Sequence, residues 1–305
     1  FPPEALARDT RAMEVSLAQQ TQSPAQVGNK ALWAAVYGAH PYAQWPDGTP
    51  ESVRALDRAA VVDFHRAHYT AGNAVLVLVG AIEHAQAQTI ATRLTAELPR
   101  GKALPALPEV SAPAGSAQDI AFDSAQTHVM LAMPLMTRDD PDYFPLLAGN
   151  HVLGGNGLVS RISKVIREDR GLAYSAYSVL QPMRRPGPFL LGLQTRADQA
   201  DAATELLRQE LTRFVAEGPT AQELKEVQAQ LAGGFPLRVD SNREIADTLA
   251  MMGFYDLPLD WLDTYPQRVR AVTLDQVKDA YARRVNPDAL VQVRVGRHAE
   301  GAPAP

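Results

Sequence analysis

Ala74-Val-Leu-Val-Leu-Val-Gly80, read beside Leu290-Val-Gln-Val-Arg-Val-Gly296, decides how this chain is built. Both stretches are rich in β-branched residues, both follow a helical pattern and a turn, and both close on glycine at an interval of 216 residues. The same interval pairs Phe1-Pro-Pro3 with Glu217-Gly-Pro219, each leading into a polar amphipathic helix. Two distant anchors in one register indicate an internal repeat. Residues 74–79, bounded by Asn73 and Gly80, have the length and composition of a buried strand. Carried back from the start of the second unit near Gln118, the register begins about 99 residues before Phe1. The first repeat is therefore expected to lack its front part.

Around these anchors, residues 4–20 and 25–38 place Leu6, Met13, Leu17, Leu32, Val36 and Tyr37 at helical spacing, and residues 51–68 and 84–98 predict two further helices. Pro99, Pro105, Pro108 and Pro113, with Gly101 and Gly115, form a semi-rigid connector. Beyond it, strands are predicted at 118–122 and 127–133, a helix at 143–152, and a flexible loop at Gly154-Gly-Asn-Gly157 entering a helix at Ser160. Residues 172–179 and 188–194 predict a hairpin. Helices follow at 198–215, 220–231, 243–252, 260–269 and 274–284, and a last strand at 290–295. The expected class is α+β: two related α/β units, each an antiparallel-rich sheet packed by helices. Residues 1–98 would be the remainder of the first, 99–116 a linker and 117–305 the second.

A formal net charge of −5 over 305 residues leaves no basic footprint for phosphate backbones, so nucleic acid is not an expected partner. No apolar run approaches the length of a membrane span. The absence of cysteine excludes disulfides, a thiolate nucleophile and a cysteine-based zinc site. Of the seven histidines, only His65 and His68 share a helical face, and no glutamate adjoins them; neither H-E-x-x-H nor H-x-x-E-H occurs. They read as a solvated face near a helix C-terminus. His40, His84, His128, His151 and His298 are isolated and read as turn, cap or surface residues. A Gly-x-Ser-x-Gly elbow and a phosphate loop are also missing. Gly154 and Gly155 can be read as mobile backbone beside a substrate or as a turn that needs positive φ.

The run from Ser160 to Ser178 is more informative. A charged helix stops at Gly171 and passes directly into a strand, with Arg167 in its last turn and Tyr174 where the strand begins. Arginine and phenol donors aimed at one point can hold a peptide carbonyl or an oxyanion. Arg167 compensating the helix dipole and Tyr174 packing on the sheet would explain the same residues without a function.

At these residues the chain resembles the pitrilysin/insulinase family of zinc peptidases, in its small bacterial branch. The resemblance rests on His40-Pro-Tyr42, Leu153-Gly-Gly155 with Ser160-Arg161, Arg167-Glu168 with Arg170-Gly-Leu-Ala-Tyr174, Gly187-Pro-Phe189, Gly218-Pro-Thr220 with Glu223, and Val295-Gly296. It implies two similar α/β units and a paired Arg167 and Tyr174 that bind substrate. It also implies a zinc site of the H-x-x-E-H type with a downstream glutamate, which this sequence does not carry. The downstream position falls on Ser16, and Glu14 lies at the wrong angular offset. The chain is therefore expected to bind no cofactor and to be inactive alone, with zinc on a partner chain or a missing segment. By the resemblance, its partners would be a zinc-bearing subunit in a heterodimer and a peptide or unfolded substrate, and its compartment the periplasm. A non-catalytic scaffold, like processing-peptidase-like core proteins, and a fragment of a self-sufficient peptidase remain the alternatives.

Overall fold

The computed structural model describes residues 1–297, so His298 lies outside the described residues. The fold is mixed α+β and divides into two compact units that interleave in sequence. One comprises Ala18–Pro46, Pro108–Gln230 and Gln267–Pro305; the other comprises Phe1–Leu17, Asp47–Leu107 and Leu231–Pro266. This crosses the linear division at 99–116 anticipated from the proline content.

The larger unit holds a five-stranded sheet in the order β1-β5-β2-β4-β3. The strands are β1 Ser116–Ala121, β2 Gln126–Met136, β3 Ser175–Leu180, β4 Gly187–Arg196 and β5 Val291–Gly296. β1 and β5 run parallel, and the other three pairings are antiparallel. Strand alternation sends residues to opposite faces. Met130, Ala132, Val291, Val293 and Val295 pack under Leu32, Val36 and Tyr37 of α2 (Pro24–Tyr37), which is why Ala18–Pro46 groups with the sheet. The alternate residue Phe189 lies edge-on to Tyr281 of α11 (Leu274–Arg284). The Tyr281 ring also meets Phe214 of α8 (Ala200–Glu217), and its hydroxyl donates to Leu146 O of α6 (Tyr143–Asn150) at 3.2 Å. Burial pushes the Tyr281 phenol pKa up, so it remains a neutral donor.

The smaller unit is helical. It contains the start of α1 (Pro3–Gln20), then α3 (Pro50–Arg54), α4 (Arg58–His68), α5 (His84–Thr95) and α10 (Asn242–Phe254). Residues 51–68, predicted as one helix, are two, because the Asp57 carboxylate accepts the Ala60 N–H at 2.7 Å and starts a new N-terminus. The buried strand predicted at 74–79 does not form: the segment is unpaired and Val75 is 54% exposed. Side-chain pattern favours a strand there, but backbone amides need a neighbour to complete one, and the described residues of this unit contain no strand.

Candidate functional site

Arg167, Tyr174 and the two glycines all lie along the segments that lead into β3. After Ser160, a short α7 (Arg161–Ser163) widens into a π-helical turn, Lys164–Asp169, which carries Arg167. Wide turns of this kind occur often at functional positions because they rotate side chains off the regular helical path. Gly171, at φ +61°, reverses the chain, and the Gly171 and Leu172 amides donate to Arg167 O and Ile166 O at 3.1 and 2.9 Å. Tyr174 is thereby placed immediately before β3.

The Arg167 guanidinium carbon lies 5.1 Å from the Tyr174 ring centroid, a cation–π arrangement. Tyr174 is 81% exposed. Arg167 is half-buried and makes no ion pair or side-chain hydrogen bond with the described residues. The Arg167 guanidinium, with its five N–H donors, thus lies over a ring that is largely exposed to solvent. β3 pairs only with β4 and is an edge strand of the sheet.

The predicted flexible loop at 154–157 is corrected by the structure. Gly154 and Gly155 belong to a π-helical turn, His151–Gly155, that continues α6, and Gly154 is buried. Its glycine is a packing requirement: a Cβ there would overlap the Ser178 nitrogen and stand 2.5 Å from Ser178 Oγ. Ser178 in turn donates to Asn150 Oδ1 at 2.7 Å, tying β3 to α6. Gly155 is equally confined, since its Cβ would lie 2.6 Å from Asn150 Nδ2.

A second support was not anticipated as a pair. Arg161 donates from Nε and Nη2 to Glu223 Oε1 and Oε2 at 2.7 and 2.6 Å, and its guanidinium covers the Phe214 ring at 5.2 Å. Glu223, in the first turn of α9 (Ala221–Gly233), also accepts the Thr220 N–H at 2.7 Å, while its own N–H donates to Thr220 Oγ1. Burial by itself would raise the Glu223 carboxyl, but the bonds from Arg161 and Thr220 and the Arg161 charge outweigh it and hold the pKa at about 2. The Thr-x-x-Glu spacing was a visible sign of this capping box.

The residues present do not fit a zinc ion. Among the described residues no three His, Asp or Glu cluster as metal ligands. His65 stacks on Tyr69 at 4.6 Å and His68 on Phe64 at 4.2 Å, while His68 Nδ1 donates to Phe64 O at 2.9 Å. Glu14, near the Ser16 position, is paired with Arg54 at 2.6 Å. His40 is used structurally: Nδ1 accepts the Tyr42 N–H at 3.1 Å and Nε2 donates to Pro108 O at 3.1 Å. No described helix is long and apolar enough to cross a membrane.

Fold and site together define a metallopeptidase-like sheet unit that presents an arginine–tyrosine pair and, among the described residues, no cluster of metal ligands. Residues 55–231 match the family described as peptidase M16 inactive domain, more than half of the chain, and the chain belongs to that family. Among its relatives, an uncharacterized zinc protease of Streptomyces coelicolor is 30% identical over 78% of this chain and 53% of its own length. The non-peptidase homolog YmxG of Helicobacter pylori is 25% identical over 92% of this chain and 65% of its own. The chain thus spans roughly half to two thirds of the length of such curated relatives. The crystal structure of a peptidase M16 inactive domain from Pseudomonas fluorescens superposes with a TM-score of 0.95 at 37% identity, covering 99% of this chain and 73% of that one.

Proposed function

We propose that this chain is the substrate-gripping, zinc-free part of an M16 peptidase assembly, in which Arg167 and Tyr174 hold the peptide backbone while a zinc-bearing subunit supplies the metal-bound water. The observation that carries this reading is the Arg167 guanidinium, without an ionic partner, laid on an exposed Tyr174 at the mouth of an edge strand. A fork of N–H donors complements a peptide carbonyl in the ground state and its oxyanion as water adds. Gly154, packed against Ser178 of β3, and Gly155, packed against Asn150, support the substrate face in this reading. The partner in this reading is a zinc-bearing M16 subunit in a heterodimer, the substrate a peptide or unfolded polypeptide, and the compartment the periplasm.

The test is cleavage of a quenched fluorescent peptide by this chain, by a zinc-bearing M16 subunit, and by the mixture. Only the mixture is expected to cut. Within it, Arg167→Ala should lower kcat/KM by about 10²–10³-fold, the usual loss of one oxyanion donor. Cleavage by this chain alone, or a mixture indifferent to Arg167→Ala and Tyr174→Phe, would refute the proposal.

A further inference from the structure

Thr195 closes an apolar row on β4. Phe189, Leu191 and Leu193 precede it on the same face and are 0%, 1% and 2% exposed, and Thr195 itself is 3% exposed. Valine has the same shape and would satisfy the packing there, whereas a buried hydroxyl is costly unless it is bonded. The Thr195 hydroxyl is bonded, and its partner lies beyond the strand: Oγ1 donates to Leu172 O at 2.5 Å. Leu172 belongs to the turn between Arg167 and Tyr174, and its own N–H donates to Ile166 O at 2.9 Å. One residue is thus tied on its amide side to the π-helical turn that carries Arg167 and on its carbonyl side to β4. The ladder of the sheet does not reach so far, because the pairing of β3 with β4 starts at Ser175 and Gln194. Tyr174 therefore sits between the first ladder pair and a carbonyl that a side chain holds.

We infer that Thr195 is a positioning residue: its hydroxyl extends the hold of β4 past the end of the ladder, fixes the Leu172 peptide, and so sets how the Tyr174 ring meets the Arg167 guanidinium. The contact it governs is the 5.1 Å approach of guanidinium to ring. Without the hydroxyl, Leu172 keeps its bond to Ile166, but residues 172–174 can swing about Gly171, whose φ of +61° lies in a region glycine leaves freely. A displacement of about 1 Å in a group that holds a substrate can lower a rate about 100-fold. The consequence for peptide cleavage rests on the reading of Arg167 and Tyr174 as the peptide grip; the consequence for the arginine–tyrosine contact does not.

The experiment compares Thr195→Val, which keeps the shape and removes the hydroxyl, with Thr195→Ser, which keeps the hydroxyl. In the full chain labelled at arginine, the Arg167 side-chain resonances, identified by their loss in Arg167→Ala, are displaced by the ring current of Tyr174, and Tyr174→Leu supplies the undisplaced reference. Thr195→Val should remove most of that displacement while the amide resonances of β2 and β5 stay in place, and Thr195→Ser should retain it. In the mixture with a zinc-bearing M16 subunit, Thr195→Val should lower kcat/KM about 10-fold with a rise of at least about 3-fold in KM, and Thr195→Ser should restore most of the loss. Partial unfolding would not raise KM, because it removes active molecules without weakening the rest. An unchanged displacement in Thr195→Val, an equal loss in Thr195→Ser, or a wild-type KM in Thr195→Val where the wild-type mixture cuts would overturn the inference. Collapse of the β2 and β5 pattern in Thr195→Val would overturn it too, since the hydroxyl would then serve the sheet. A wild-type mixture that does not cut defeats the reading of the grip and leaves the Arg167 resonances to decide the role of Thr195.

Discussion

Replacing Glu223 by Gln tests whether the Arg161–Glu223 pair holds the segment that carries Arg167. The variant keeps the side-chain shape but removes the charge and one acceptor of a bidentate bond, leaving a largely buried Arg161 without its counter-ion. At pH 7 the cost should be about 2 kcal/mol, within the usual range for a hydrogen bond to a charged group. Acid should produce the same loss in the wild-type protein. The folded carboxyl titrates near 2 against an ordinary value of 4.5, so its contribution is complete above about pH 5 and disappears as pH falls towards 2. That separation corresponds to about 3 kcal/mol. Both side chains retain some solvent contact, which screens the contribution to about 1–2 kcal/mol. The Asp142 carboxyl, which burial would raise, is held low by Arg283 and Arg284 and destabilises the protein in the same acid range, so the informative quantity is wild type minus variant. Urea unfolding followed by far-ultraviolet circular dichroism at pH 7, 5 and 3 should show that difference shrinking as the pH falls. A difference that stays constant across the series would refute the argument, because it would mean that the ionised pair contributes nothing beyond shape.

Gly154→Ala should destabilise the sheet unit by about 2–3 kcal/mol, since the new methyl meets β3 backbone that cannot retreat, measured by urea midpoint. Gly157→Ala, where a Cβ meets open space but φ is +55°, should cost only about 1 kcal/mol by the same measurement. Tyr281→Phe should cost about 1 kcal/mol in thermal unfolding, because Leu146 O loses its buried phenol donor. His128, whose pKa burial lowers, contributes stability that is present above its ordinary value of 6.5 and lost as pH falls below it. His128→Gln should flatten that part of the stability–pH curve without altering the step near pH 2–5.

The sheet unit was legible in the sequence wherever side-chain pattern and backbone pairing agree. β2 and β5 fall within a few residues of their predicted spans, because alternating or continuous apolar runs find neighbours within the same unit. Residues 74–79 carry an even stronger strand pattern and fail, since pairing depends on a second segment and not on the strand's own composition. Glycine misled for a related reason. At Gly154 it serves a close approach to Ser178, and the sequence does not distinguish this from flexibility. Both members of the Arg161–Glu223 pair stood in recognised motifs, yet a separation of 62 positions along the chain hid their partnership. The placement of Arg167 near a helix end and of Tyr174 just before a strand was readable because only a turn at Gly171 separates the two elements.

Arg161 and Arg167 lie six residues apart on one segment and have opposite environments. Arg161 uses its guanidinium within the fold, on Glu223 and Phe214, so its removal should appear as lost stability. Arg167 has only the Tyr174 ring, an exposed contact worth about 0.5–1 kcal/mol, and its N–H donors remain available. Arg167→Ala should therefore move the urea midpoint hardly at all while removing peptide binding, whereas Arg161→Ala should do the reverse at first order and weaken binding only by loosening the π-helical turn. If Arg167→Ala proved as destabilising as Arg161→Ala, the guanidinium would be serving the fold, and the peptide-gripping role would lose its physical basis.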